Sequence, residues 1–346
     1  MNDAVSTDPI ALHRGLLTLD THIDIPWPTG PDPFLDGPRR VDLPKMHRGG
    51  LSAGCFAAYV PQTARTAENE AAAFERAIGM LHAIRAMGRP MGHAETGVPA
   101  RVAVTAAEIA ACKRDRVLAI VPAVENGFAM GHDLSRLARF RALGARYLTL
   151  THNGHNALAD SCNPRTDLGD ALTEHGGLSP LGRAAIAELN RLGMLVDVAH
   201  VSRETMLQAA ALSRTPIVST HSCIRTLCDN PRNMDDGQLD ALREVGGVIQ
   251  ITAVAAFLKP DGKPEQVRVA DFADHVEYAV RRVGIEHVGI SSDFDGGGGF
   301  SGWHDAAESA NITVELSRRG YGRPEIAALW GGNFLRLLRI AEERAG

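Results

Sequence analysis

The chain has no run approaching the roughly twenty apolar residues that a membrane-crossing helix requires. Its first fifteen residues, Asp3, Asp8 and Pro9 among them, lack the basic start and apolar core of a secretory leader. The five cysteines, Cys55, Cys112, Cys162, Cys223 and Cys228, form no Cys-x-x-Cys pair, and their odd number leaves at least one outside any intramolecular disulfide scheme. Positive charge is not in excess: 36 Lys and Arg stand against 41 Asp and Glu, a formal net charge of -5, so there is no basic footprint for nucleic acid. No internal repeat and no linker of domain-boundary composition interrupts the sequence. These absences exclude a membrane span, a disulfide scaffold and a nucleic-acid binder, and they predict a soluble cytoplasmic protein acting on small molecules. A homo-oligomer is left open.

What is present is ordinary globular composition, 45% hydrophobic and 22% charged. A chain of 346 residues fits two average domains or one large α/β barrel. Eight apolar segments of strand length lie at 16–26, 51–60, 116–124, 145–150, 193–199, 216–220, 247–252 and 287–292. Stretches of helical composition follow them, at 67–87, 134–143, 179–192, 203–212, 236–245, 269–283, 306–318 and 323–343. Ser179-Pro180 reads as an N-cap followed by proline in the first turn. The stretch 26–40, with Pro26, Pro28, Pro31, Pro33 and Pro38, and the stretch 153–177 read as loops. Strand and helix alternating eight times predict an α/β fold, a single (β/α)8 barrel over residues 1–346, in which doubly buried parallel strands are continuous apolar runs.

Active sites of this fold sit at the C-terminal strand ends. Seven ionisable residues fall there: His22, Asp24, Glu125, His152, His200, His221 and Asp293. His22-x-Asp24 alone is equally a polar pair after a buried strand; the ring of such ends makes the chemistry. Four imidazoles and three carboxylates in one cavity are costly to bury without cations, so metal ions are the compensation expected. The count suggests two: one held by His22 and Asp24, one by His200 and His221, with Glu125 bridging them. Two divalent ions so bridged share a hydroxide whose pKa both lower. Nitrogen and oxygen ligands favour zinc, with manganese or cobalt fitting similar geometry. None of the four lysines, Lys45, Lys113, Lys259 and Lys263, is at a predicted strand end, so Glu125 is a better bridge than a carboxylated lysine. Asp295 reads as a turn residue or one supporting the ligands from behind, His47, His132, His155, His175 and His304 as loop or surface residues, and the glycine run at 296–299 as a flexible loop.

The segments Asp20-Thr21-His22-Ile23-Asp24-Ile25-Pro26, Glu125-Asn126-Gly127, Leu148-Thr149-Leu150-Thr151-His152-Asn153, Asp197-Val198-Ala199-His200, Ser219-Thr220-His221-Ser222 and Ser292-Asp293-Phe294-Asp295-Gly296 resemble, in order and spacing, the membrane (renal) dipeptidase family, the M19 peptidases. The resemblance implies a metal-dependent dipeptidase with two zinc ions on His22, Asp24, Glu125, His200 and His221. It also implies a substrate-contacting histidine at His152, an arginine for the substrate carboxylate at Arg232 and a proton-handling aspartate at Asp293. Mixed L,D-dipeptides are plausible substrates on the same ground. Rival readings are hydrolysis of N-acyl amino acids or lactones on the same barrel, and a metal-binding regulatory protein on a decayed one. The best-known members are secreted, disulfide-bonded and lipid-anchored; the features above imply instead a bacterial-type cytoplasmic relative.

Overall fold

Nine parallel strands form the sheet: β1 Leu19–Asp24, β2 Ala53–Tyr59, β3 Ala100–Val102, β4 Leu118–Glu125, β5 Tyr147–Thr149, β6 Leu195–Asp197, β7 Val218–Ser222, β8 Val248–Ile251 and β9 Val288–Ile290. In this computed structural model, residues 8–26, 29–88 and 97–346 are described. Eight strands follow the order β1-β2-β4-β5-β6-β7-β8-β9, and β3 pairs with the start of β4 outside that path. The ring is nearly closed by a bridge between Ile23 and Phe294. There the Asp24 amide donates to Phe294 O (3.0 Å) and the Asp293 amide to His22 O (3.1 Å).

The eight predicted strands are the eight strands of the barrel, with shifted ends. Glu125 is the last residue of β4, and His221 lies within β7. Every residue of β4 is buried, as a strand covered on both faces must be. Alternation sorts the side chains into two cores. Ala53, Cys55, Val121, Ala123 and Tyr147 join one, with helix Asn333–Glu343, while Phe56, Ala58, Ile120 and Val124 join the other.

Unpredicted elements are β3, helices Pro9–Gly15, Leu43–Gly49 and Ala106–Asp115, and the short helix Ala255–Leu258. Helix Ala106–Asp115 carries a reciprocal cap, in which the Thr105 hydroxyl accepts from the Glu108 amide (3.1 Å) and the Glu108 carboxylate accepts from the Thr105 amide (3.1 Å). Residues 29–42 are irregular, as the prolines predict; Asp3 and Pro28 lie outside the described residues. The predicted closing helix at 323–343 is interrupted by a π-helical turn, Ala328–Gly332. No helix among the described residues is long and apolar enough to cross a membrane.

Candidate metal centre and substrate cavity

Glu125, buried at the end of β4, sits among three imidazoles. Its Oε2 lies 3.5 Å from His22 Nε2, and its Oε1 lies 3.2 Å from His200 Nε2 and 3.5 Å from His221 Nε2. Asp24 Oδ1 is 3.8 Å from His22 Nε2, so the His-x-Asp pair does point one way. The donors of His22, Glu125 and His221, and those of Glu125, His152 and His200, each fall within 4.8 Å of one another. Glu125 is common to both groups, its two oxygens facing different histidines. The grouping differs in detail from the one expected: His221 stands between His22 and His200, with ring centroids 3.8 and 4.9 Å away, and His152 approaches His200 to 4.1 Å.

Hydrogen bonds set which nitrogen is free. The Tyr147 hydroxyl donates to Thr21 O (3.0 Å), so it accepts from His22 Nδ1 (3.0 Å) and leaves Nε2 facing Glu125. Thr220 Oγ1 likewise donates to Asp197 Oδ2 (2.7 Å) and accepts from His221 Nδ1 (2.9 Å). Asp197 also takes the Thr149 hydroxyl and the Ala199 and Thr220 amides, tying β5, β6 and β7 together beneath the site. His22 Nε2 and Asp24 Oδ1, both buried, have no hydrogen-bond partner. Orphaned donor atoms of this kind, converging on one point, are what a cation satisfies.

The electrostatics agree. Burial opposes charge on His22, but Glu125, then Asp24 and Asp293, outweigh it and raise the imidazole to about 10. Burial holds His200 and His221 well below the ordinary histidine value, helped at His200 by the Arg232 cation and at His221 by the His22 and Arg232 cations. Burial, with Glu125 adding to it, raises Asp24, and it raises Asp293 to about 7. One proton on His22 is thus held where positive charge is demanded, and the donor set fits divalent metal.

The backbone is strained at the same place. Six non-glycine residues have positive φ among the described residues, and four are Asn126 (81°), His200 (66°), Asp293 (58°) and Asp295 (64°). Such conformations cost about 1–3 kcal/mol each and persist where surrounding structure fixes them. Asp295 turns from the centre to accept the Arg40 and Val41 amides (2.8 and 3.2 Å) and pair with Arg39 (3.2 Å). The glycine run has a packing role that a loop assignment missed. A Cβ on Gly296 would lie 2.4 Å from both Asp24 Oδ2 and Asp293 Oδ1.

A cavity of about 400 Å³ opens over these groups, with Asp24, Glu125, His152, His200, His221 and Asp293 on its wall. Arg232 also lines it, as do three residues that carry no readable motif, Asn163, Asn230 and Phe257. The Arg232 side chain is buried, donates from Nη2 to His221 O (3.2 Å), stacks 5.3 Å from the Phe257 centroid and leaves Nε without a partner. No carboxylate among the described residues forms an ion pair with it. The structure therefore brings seven of the eight expected residues onto one cavity wall, with His22 fully buried behind it against Glu125. His155 is in a loop, as expected, and that loop buries it fully, its Nδ1 accepting from the Ser161 amide (2.9 Å) and its Nε2 bonded to Ala171 O (2.9 Å).

A parallel barrel with a histidine and carboxylate centre at its strand ends is the architecture of the amidohydrolase-type hydrolases. Within that class the chain belongs to the membrane dipeptidase family, peptidase family M19, whose model matches residues 9–346. It is 32% identical over 308 residues to dipeptidase aclJ of Aspergillus oryzae, covering 88% of this chain and 71% of that one. The probable dipeptidase PvdM from Pseudomonas aeruginosa superposes with a TM-score of 0.90 at 32% identity, covering 97% of this chain and 98% of the other. A metallo peptidase from Rhodobacter sphaeroides, solved with a phosphinate mimic of the dipeptide L-Ala-D-Ala, gives 0.82 at 25% identity, with 94% and 99% covered.

Proposed function

We propose that the chain, as one catalytic unit, hydrolyses the single peptide bond of dipeptides with two zinc ions at this centre. His22 and Asp24 would hold one ion, His200 and His221 the other, with Glu125 between them. When bound, the ions supply Lewis acidity for the scissile carbonyl and lower the pKa of the attacking water.

The observation that carries the substrate class is Arg232, a buried cation without a carboxylate partner among the described residues, beside that centre. A planar guanidinium is suited to a free carboxylate, and a substrate anchored there presents its neighbouring amide bond. Internal peptide bonds lack that anchor. His152, which burial keeps below its ordinary pKa, is neutral and can donate one N–H to the developing oxyanion. Asp293 would take the proton of the attacking water and deliver it to the leaving amine. The likeness to the R. sphaeroides enzyme supports including L,D-dipeptides. The five free thiols support a reducing, cytoplasmic setting.

The test is a dipeptide library of both chiralities run beside the matching C-terminal amides and N-acyl amino acids, with metal analysis of the same sample. Turnover of dipeptides but not of amides supports the reading. Faster turnover of N-acyl amino acids would favour the rival amidohydrolase reaction.

A further inference from the structure

At the opposite end of the barrel, between helices Pro9–Gly15 and Leu43–Gly49 and the loop entering β4, lies a cleft of about 820 Å³, twice the volume of the metal cavity. It is lined by the basic residues Arg14, His47, Arg48, Lys113, Arg114 and Arg116 and by no acidic one. Arg48 is neutralised by Asp36 (2.7 and 3.1 Å). Arg14, Lys113, Arg114 and Arg116 have no ion-pair partner among the described residues.

Basic residues in the last turn of a helix ordinarily answer the helix dipole. Here the helices Pro9–Gly15, Leu43–Gly49 and Ala106–Asp115 all end at the cleft. At about -0.5 charge each the three ends cancel about +1.5, which leaves a surplus of about +2.5 from the four unpaired cations. Lys113 shows that this surplus is built into the fold. Its ammonium is half-buried, and burial lowers its pKa with no acidic group opposing the shift. Among the described residues its partners are Arg14 O (2.9 Å) and Ser52 Oγ (3.0 Å), two acceptors for three N–H donors.

We infer that this cleft binds a small organic anion bearing a phosphate group, at a site separate from the metal centre. A carboxylate brings one negative charge, whereas a phosphate monoester brings about -1.5 to -2 near neutral pH, closer to the surplus. Met46, Leu51 and Val117 supply apolar wall for the organic part. The assignment is independent of the reaction at the other end of the barrel.

Calorimetric titration of the full chain at low ionic strength, with phenyl phosphate and with inorganic phosphate, tests it. Phenyl phosphate binds one per chain and about tenfold more tightly than inorganic phosphate, because its ring covers the apolar wall. The double substitution Lys113→Met, Arg116→Ser weakens binding at least about tenfold while dipeptide turnover is unchanged. Lys113→Arg with Arg116→Lys retains binding, which separates charge from folding. Arg232→Met retains it also. Absence of binding, indifference to the double substitution, or loss of binding in Arg232→Met would each overturn the inference, the last by placing the anion in the metal cavity. Equal affinity for the two probes would overturn the organic part.

Discussion

Replacing Tyr147 with Phe tests how the centre is oriented. The ring sits fully buried in the barrel core, so Phe keeps its packing and removes only the hydroxyl that accepts from His22 Nδ1 (3.0 Å) and donates to Thr21 O (3.0 Å). The orphaned Nδ1–H costs about 1–3 kcal/mol of stability in the metal-free protein. More telling is the imidazole, which loses the bond that fixes its rotamer and tautomer. Loss of such a partner lowers metal affinity about 10–100-fold. Competition against a chromophoric chelator measures the affinity, and denaturant unfolding of the metal-free protein measures the stability. A variant that loses stability while binding metal as tightly as the parent would refute the orienting role and make Tyr147 a packing residue.

Arg232→Met should reduce kcat/KM on dipeptides about 10–150-fold, the worth of a charged hydrogen bond, with C-terminal amides affected little. Asp293→Asn should leave metal content intact and lower turnover about 10²–10⁴-fold; loss of metal instead would make Asp293 a ligand. His13 predicts acid sensitivity. Trp330 Nε1 donates to Thr313 Oγ1 (2.8 Å), whose proton goes to His13 Nδ1 (2.7 Å), and His13 Nε2–H goes to Gly49 O (2.9 Å), a chain that only neutral histidine completes. Burial, against the Gly49 bond, lowers His13 from 6.5 to about 4. The folded protein therefore binds fewer protons than the unfolded chain between those values. That contribution is full above pH about 6.5 and lost as pH falls toward about 4, up to about 3 kcal/mol. Unfolding midpoints measured across that range should fall less steeply in His13→Gln than in the parent; equal slopes would rule out His13 as the source.

The barrel was legible because its strands are buried on both faces and read as apolar runs, even β7, where Pro216 and Ile217 lead into Val218–Ser222. The ligand-bearing ends were legible because the fold puts chemistry at one end of every strand. Helix Ala106–Asp115 left a readable signal in Thr105-x-x-Glu108, whereas β3 is three residues long and carries none. Tyr147 looks like one more core aromatic in sequence; its bond to His22 spans 125 positions and exists only in the closed ring. Gly296 is similar, since the need for a missing side chain arises from Asp24, far off in sequence. The burial of His155 was not legible because its loop folds back so that Asp170 and Ala171 bond to it.

The bridge between Ile23 and Phe294 also has a consequence in time. Asp293 and Phe294, which close on His22 and Asp24, are synthesised about 270 positions after them. Contacts so distant in sequence form late and slowly. Until β9 is in place the first strand is therefore an open edge that carries His22 and Asp24. A chain truncated before residue 294 lacks the strand end that closes on Ile23, and so leaves the candidate centre incomplete.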